Sequence, residues 1–111
     1  MENLIQLFKA LSDDTRLRLV MLLQRKSHCV CELTEILGLS QPKISKHLTK
    51  LKELGLVSTI KDSRYVYYQL IKDDETVSKI LDCLEADKSR FDTLVYDESK
   101  EPLCRVDRGV E

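Results

Sequence analysis

The sequence predicts a mainly helical chain with one β-hairpin, arranged as a winged helix-turn-helix. Three observations lead there. Apolar residues recur at helical spacing from Leu4 to Leu54. Two of the short helices so marked are joined by a three- or four-residue turn around Gly38, and the second is basic on its outer face. The period then changes to β-branched and aromatic runs over 57–60 and 65–70, parted by Lys61-Asp62-Ser63-Arg64, which is a hairpin signal.

In chain order, residues 3–11 read as an amphipathic helix with Leu4, Leu7, Phe8 and Leu11 on one face. Ser12 or Asp13 caps a second helix running to about Gln24, with Asp13 and Asp14 favourable at its N-terminal dipole. Leu17, Leu19, Val20, Leu22 and Leu23 cover more than half its circumference, so it should be the most buried helix. Residues 26–28 read as a connector. A short third helix starts at Cys29 or Val30 and ends at Leu37, with Leu33, Ile36 and Leu37 inward and Gly38 as its stop. Ser40 caps a fourth, with Pro42 tolerated in its first turn, Ile44, Leu48 and Leu51 inward, and Gly55 at its end. After the hairpin, Asp73 or Asp74 caps a last helix whose stripe is Val77, Ile80, Leu81 and Leu84. The domain is expected to span 1–87, and the polar, acidic stretch 88–111 to be a partly mobile tail.

At 111 residues, 42% hydrophobic and 33% charged, the chain has the size and composition of one ordinary globular domain. No apolar run approaches the ~20 residues of a membrane span, so no membrane partner is expected. Met1-Glu2-Asn3-Leu4 lacks the basic and apolar segments of a signal peptide, so a cytoplasmic location is expected. The net charge of −1 conceals a strong asymmetry: residues 40–72 hold seven bases against two acids, while 73–111 hold six bases against twelve acids. Catalysis is not expected. Two histidines, no nucleophile–base pair at a recognisable spacing and no glycine-rich phosphate loop leave nothing to perform it.

The basic block gives the fold a task. The major groove of DNA admits an α-helix, and the second helix of a helix-turn-helix enters it. With Ile44, Leu48 and Leu51 turned inward, that helix offers Gln41, Lys43, Ser45, Lys46, Thr49 and Lys50 outward. Gln41 and Ser45 suit base edges, and the lysines suit phosphates. His47 either reaches phosphate or sits half-buried. Lys61 and Arg64 at the hairpin tip stand ready for the neighbouring backbone or minor groove. The competing view, a winged-helix module for protein interaction, would show no steep salt dependence of DNA binding.

Four cysteines lie at 29, 31, 83 and 104. In a reducing compartment a disulfide framework is not expected, which leaves soft-metal binding, redox sensing or packing. Cys83, beside the Leu84 stripe, reads as a packing residue.

The run Ser40-Gln41-Pro42-Lys43-Ile44-Ser45-Lys46-His47-Leu48, with Leu51 and Leu54-Gly55-Leu56-Val57, closely resembles the recognition-helix signature of ArsR/SmtB-type metalloregulators. Asp14-Thr15-Arg16-Leu17 through Leu22-Leu23 resembles their second helix, and Tyr67-Tyr68-Gln69-Leu70 the end of their wing. The resemblance covers roughly residues 4 to 84, and many members have Pro where Asp14 stands. It implies a homodimer built through the first and last helices, bound to double-stranded operator DNA with an inverted repeat, and repression relieved by an inducer. The zinc site that part of the family carries on its last helix needs His there, and His28 and His47 lie elsewhere. Cys29-Val30-Cys31-Glu32-Leu33 instead resembles the Cys-x-Cys of the arsenic(III)- and antimony(III)-responsive members, and of the cadmium/lead-responsive ones.

Thiolate pairs select soft ions. As(III) typically takes three sulfurs, whereas Cd(II) or Pb(II) usually recruits a fourth ligand. The arsenic-type pattern often has a third Cys where Thr34 stands here, so the third sulfur comes from Cys104, from Cys83 or from neither. Cadmium-type members add cysteines from an N-terminal extension, and none precedes Cys29 here. As(III) or Sb(III) is therefore the expected inducer, with Cys29, Cys31 and Cys104 as ligands and Cd(II)/Pb(II) as the alternative. A thiol redox sensor on the same fold is a second alternative.

Overall fold

The structure, a computed structural model, describes residues 1–102. Along them run α1 (Glu2–Leu11), α2 (Asp14–Arg25), β1 (His28–Cys29), α3 (Val30–Leu37), α4 (Gln41–Glu53), β2 (Val57–Asp62), β3 (Tyr65–Leu70), α5 (Glu75–Asp87) and α6 (Asp92–Ser99), with a 3-10 turn over Lys88–Arg90. Helices α2, α4 and α5 start where a side chain satisfies an otherwise unpaired backbone N–H. Asp13 accepts from the Arg16 N–H at 3.0 Å, Ser40 from Lys43 at 3.4 Å and Asp74 from Val77 at 2.9 Å. This selects Asp13 over Ser12 and Asp74 over Asp73. Gly38 ends α3 at φ +67°, a left-handed conformation that costs a residue with a Cβ but not glycine.

Leu7 of α1, Leu19 of α2, Leu33 of α3 and Ile44, Leu48 and Leu51 of α4 are wholly buried in one core. Helix α2 runs through its centre, burying Thr15, Leu19, Val20, Met21, Leu22 and Leu23. The predicted winged helix-turn-helix is therefore present, with α3 supporting α4 and the β2–β3 hairpin as the wing. Among the described residues no helix is long and apolar enough to cross a membrane.

Three local features differ from the sequence expectation. First, residues 28–29 are a strand. β1 pairs antiparallel with β3, His28 opposite Tyr68 and Cys29 opposite Tyr67, giving a sheet of order β1-β3-β2. Second, Phe8 is about half exposed and Ile5 nearly so, while Ala10 takes the inward position. Third, the chain beyond Lys88 folds on through the 3-10 turn into α6, which lies on α2. Leu94 and Asp97 are its buried residues, and Asp97 is fastened to Arg18. A helix this polar carries little apolar pattern, and its docking depends on a partner 79 positions away.

Candidate nucleic-acid interface and cysteine site

Helix α4 turns Ile44, Leu48 and Leu51 inward, which by the helical period sends the residues between them outward. Gln41, Lys43, Lys46, Thr49 and Lys50 are exposed, and Ser45 is half-buried. Gln41 Nε2 donates to Ser45 Oγ at 3.2 Å, so the two residues suited to base edges already stand together one turn apart. His47 is half-buried, with Nδ1 3.8 Å from Asp13 Oδ2 at the start of α2. The Arg16 backbone N–H holds the Asp13 carboxyl below its ordinary pKa; burial opposes this, and the charges of His47 and Arg16 assist it. A concavity of about 470 Å³ opens beside α4, lined by Arg16, Lys46, His47, Thr49, Lys50 and Glu53. Arg16 escaped the sequence reading. Its guanidinium donates to the Ala10 and Lys9 carbonyls, tying the end of α1 to α2 at the rim of this face. Lys61 and Arg64 are exposed at the wing tip, where Ser63 turns the chain at φ +62°.

The cysteine pair lies at the junction of sheet and helix-turn-helix. Cys29 is the N-cap of α3 and the last residue of β1, and is buried. Cys31 is exposed on α3 and is disulfide-bonded, whereas Cys29 and Cys83 are free thiols. One carboxylate organises the entrance: Glu32 Oε1 accepts the Cys29 N–H at 3.3 Å and lies 3.1 Å from His28 Nδ1. Both His28 and Glu32 are buried. Thr34, at the position of the often-found third cysteine, donates its hydroxyl to the Cys31 carbonyl at 2.8 Å. The Cys29–Glu32 spacing is that of a capping box with Cys in place of Ser or Thr, a signal that identifies the role of Glu32 from sequence.

Cys29 and Cys31 do not face a common point in this conformation. Cys29, in extended conformation at the end of β1, is buried, whereas Cys31 in the first turn of α3 is exposed. Cys83 is exposed on α5, a helix that packs on α1, α2 and the 3-10 turn. Cys104 lies outside the described residues. Among the described residues no three of His, Cys, Asp and Glu stand together to hold a metal ion. A cavity of about 260 Å³ has His28, Glu32, Ile36, Lys100, Glu101 and Pro102 among its lining residues.

A model of bacterial regulatory proteins of the arsR family matches residues 13–59. The arsenic resistance transcriptional regulator ArsR1 of Pseudomonas putida is 52% identical over 57% of this chain and 50% of its own length. The match thus takes in about half of that relative. The arsenical resistance operon repressor of Bacillus subtilis is 42% identical over 68% of this chain and 71% of its own. A cadmium resistance regulatory protein CadC homolog of Staphylococcus aureus is 38% identical over 72% and 65%. HlyU from Vibrio cholerae superposes with a TM-score of 0.68 at 32% identity, covering 76% of this chain and 89% of that one.

Proposed function

We infer the function from one premise: the chain belongs to the arsR family of bacterial regulatory proteins, which are regulators and not enzymes. It is a homodimeric repressor that binds an inverted-repeat operator and leaves it when As(III) or Sb(III) binds cysteine thiolates. Helix α4 enters the major groove with Gln41 and Ser45 at base edges. Lys43, Lys46, Thr49 and Lys50 meet phosphates, His47 borders them, and Lys61 and Arg64 extend the contact through the wing. Ile5 and Phe8, exposed on α1, join α5 in the dimer seam.

The observation that carries the inducer reading is the position of Cys29. It caps the helix that supports α4, and its strand is paired with the wing. Capture is a condensation: arsenous acid, As(OH)₃, with three thiols gives a trithiolate and three waters, so Cys31 takes part in its reduced form. Cys29 is buried and Cys31 exposed, so both sulfurs reach one ion only if the entrance to α3 unwinds. Unwinding breaks the Glu32–Cys29 N–H bond and disturbs both neighbours of Cys29, α3 and β3. Two recognition helices must dock about 34 Å apart at once, so a small shift is amplified. A coupling of about 3 kcal/mol is enough for a roughly 100-fold loss of operator affinity.

Cys104 is the third ligand. Pro102 lines the same cavity as His28 and Glu32, and two extended residues span about 7 Å. Cys83 is on α5, which packs on α1, α2 and the 3-10 turn and not on α3 among its main contacts. The disulfide at Cys31 favours a second reading, a repressor released by oxidation of its thiols. Titrating operator release from reduced protein with As(III), Sb(III), Cd(II), Pb(II) and Zn(II), and separately with peroxide, tests both. Release by As(III) and Sb(III) at the lowest concentrations is expected. Release by Cd(II) or Pb(II) alone overturns the ion assignment, and release by peroxide with no response to any ion establishes the redox reading.

A further inference from the structure

The concavity beside α4 is built from two helices. Arg16 comes from the first turn of α2, and Lys46, His47, Thr49, Lys50 and Glu53 come from α4. Three permanent cations, Arg16, Lys46 and Lys50, thus share its lining with one carboxylate, Glu53. The other acid close by, Asp13, is already engaged: its Oδ2 accepts the Arg16 backbone N–H at 3.0 Å and lies 3.8 Å from His47 Nδ1. The Arg16 side chain is held in advance of any ligand. A guanidinium carries five N–H donors and no acceptor. Nε donates to the Ala10 carbonyl at 3.1 Å and Nη2 to the Lys9 carbonyl at 3.2 Å, both at the end of α1. Those two bonds fix the plane of the group, and Nη1 keeps both its N–H groups without a partner among the described residues. A planar fork fixed in this way matches a phosphate and loses little side-chain freedom on binding it, whereas the α4 lysines swing on flexible stems.

We propose that this concavity seats one phosphodiester of the DNA backbone, with Arg16 of α2 as a phosphate-contacting residue outside the recognition helix. This rests on the reading above that α4 enters the major groove. Phosphate contacts set register and orientation on the duplex. A contact made from α2 adds what the α4 lysines do not supply. Rolling or sliding α4 in the groove carries Arg16 off its phosphate, so Gln41 and Ser45 are held to one register on the bases. One neutralised phosphate contributes about 0.9 to the slope of log affinity against log salt. For each protomer bound, its loss should weaken binding about 15-fold at about 50 mM monovalent salt and about 4-fold at about 200 mM.

The test is fluorescence anisotropy over that salt range, on reduced full-length wild type, Arg16→Gln and Arg16→Lys. The probe is a labelled duplex that the wild-type protein selects from random-sequence DNA. Gln removes the charge but keeps an N–H donor for the Ala10 carbonyl, and Lys keeps the charge. The expected result is that Arg16→Gln lowers the slope by about 0.9 for each protomer bound, with its gap from wild type narrowing as salt rises, and that Arg16→Lys holds the slope. A gap of equal size at every salt concentration overturns the seat, since Arg16 then acts through the fold. An unchanged slope in Arg16→Gln, beside a lowered slope in Lys46→Ala, overturns the seat and leaves α4 in the groove. Inorganic phosphate against chloride at equal ionic strength separates the two sources of the anion. A rise in Tm with phosphate that Arg16→Gln abolishes, with no change in its DNA slope, assigns the concavity to a free anion and overturns the proposal. Should Arg16→Gln fail to fold, the exposed Glu53 carries the test. Removing its charge in Glu53→Gln should strengthen binding about 2-fold at about 50 mM salt by lifting repulsion of the seated phosphate, and an unchanged affinity overturns the seat.

Discussion

Changing Asp97 to alanine should destabilise the protein far more than an ordinary change in a polar C-terminal helix. The carboxylate accepts two charge-assisted hydrogen bonds at 2.9 Å, and its loss leaves the Arg18 guanidinium without them. Hydrogen bonds to charged groups contribute about 1.5–3 kcal/mol each, and breaking a buried pair from one side costs about 3–5 kcal/mol. The Arg18 side chain is 17% exposed, so water reaches part of it, which places the cost near the lower bound, about 3 kcal/mol. At about 4–8 °C per kcal/mol for a domain near 100 residues, Tm should fall by about 12 °C or more. Urea unfolding at one fixed protein concentration reads this directly. Arg18→Met together with Asp97→Ala should cost well under the sum of the two single changes, by about 1.5 kcal/mol or more, because Met removes the stranded charge. An Asp97→Ala cost below about 0.5 kcal/mol would show that the pair fastens nothing.

Replacing Lys43, Lys46 or Lys50 singly by alanine should weaken operator binding across all sequences and reduce the slope of log affinity against log salt by about 1, as fluorescence anisotropy would record; an unchanged slope removes that lysine from the phosphate contacts. Gly38→Ala should cost about 1 kcal/mol in urea unfolding from backbone conformation alone, since a Cβ there meets nothing within 4 Å. Asp13→Ala should cost about 1 kcal/mol through loss of the α2 cap. Because the folded Asp13 pKa lies below its ordinary 3.8, the stabilisation is present above that value and is lost as pH falls beneath it. The difference between wild type and Asp13→Ala should therefore shrink on acidification through that range, and a constant difference down to pH 2 would contradict the cap's ionic character.

The helices α1 to α5 and the wing are legible because their apolar residues carry the period of the element they form, and because Asp13, Gly38, Ser40 and Gly55 mark its ends. What escapes the sequence is whatever depends on distant partners. Strand β1 is two residues long, His28 and Cys29, too short for any period, and exists because Tyr67 and Tyr68 of β3 pair with it. Helix α6 has too little apolar pattern to announce itself, and its anchor joins Asp97 to Arg18 across 79 positions. The cysteines are legible as chemistry but not as geometry: the Cys-x-Cys spacing selects soft ions, while the burial of Cys29 and the exposure of Cys31 follow from where the helix begins. Phe8 reads as core from its spacing and is left about half exposed.

The central claim is that a soft ion gripped by Cys29 and Cys31 pulls the recognition helix off its operator. Its most direct measurement is As(III)-driven release of reduced Cys29→Ser and Cys31→Ser proteins from a labelled operator, beside wild type. The account predicts wild-type operator affinity without As(III) and no release upon adding it, for either variant. Release of either variant at the wild-type As(III) concentration contradicts it.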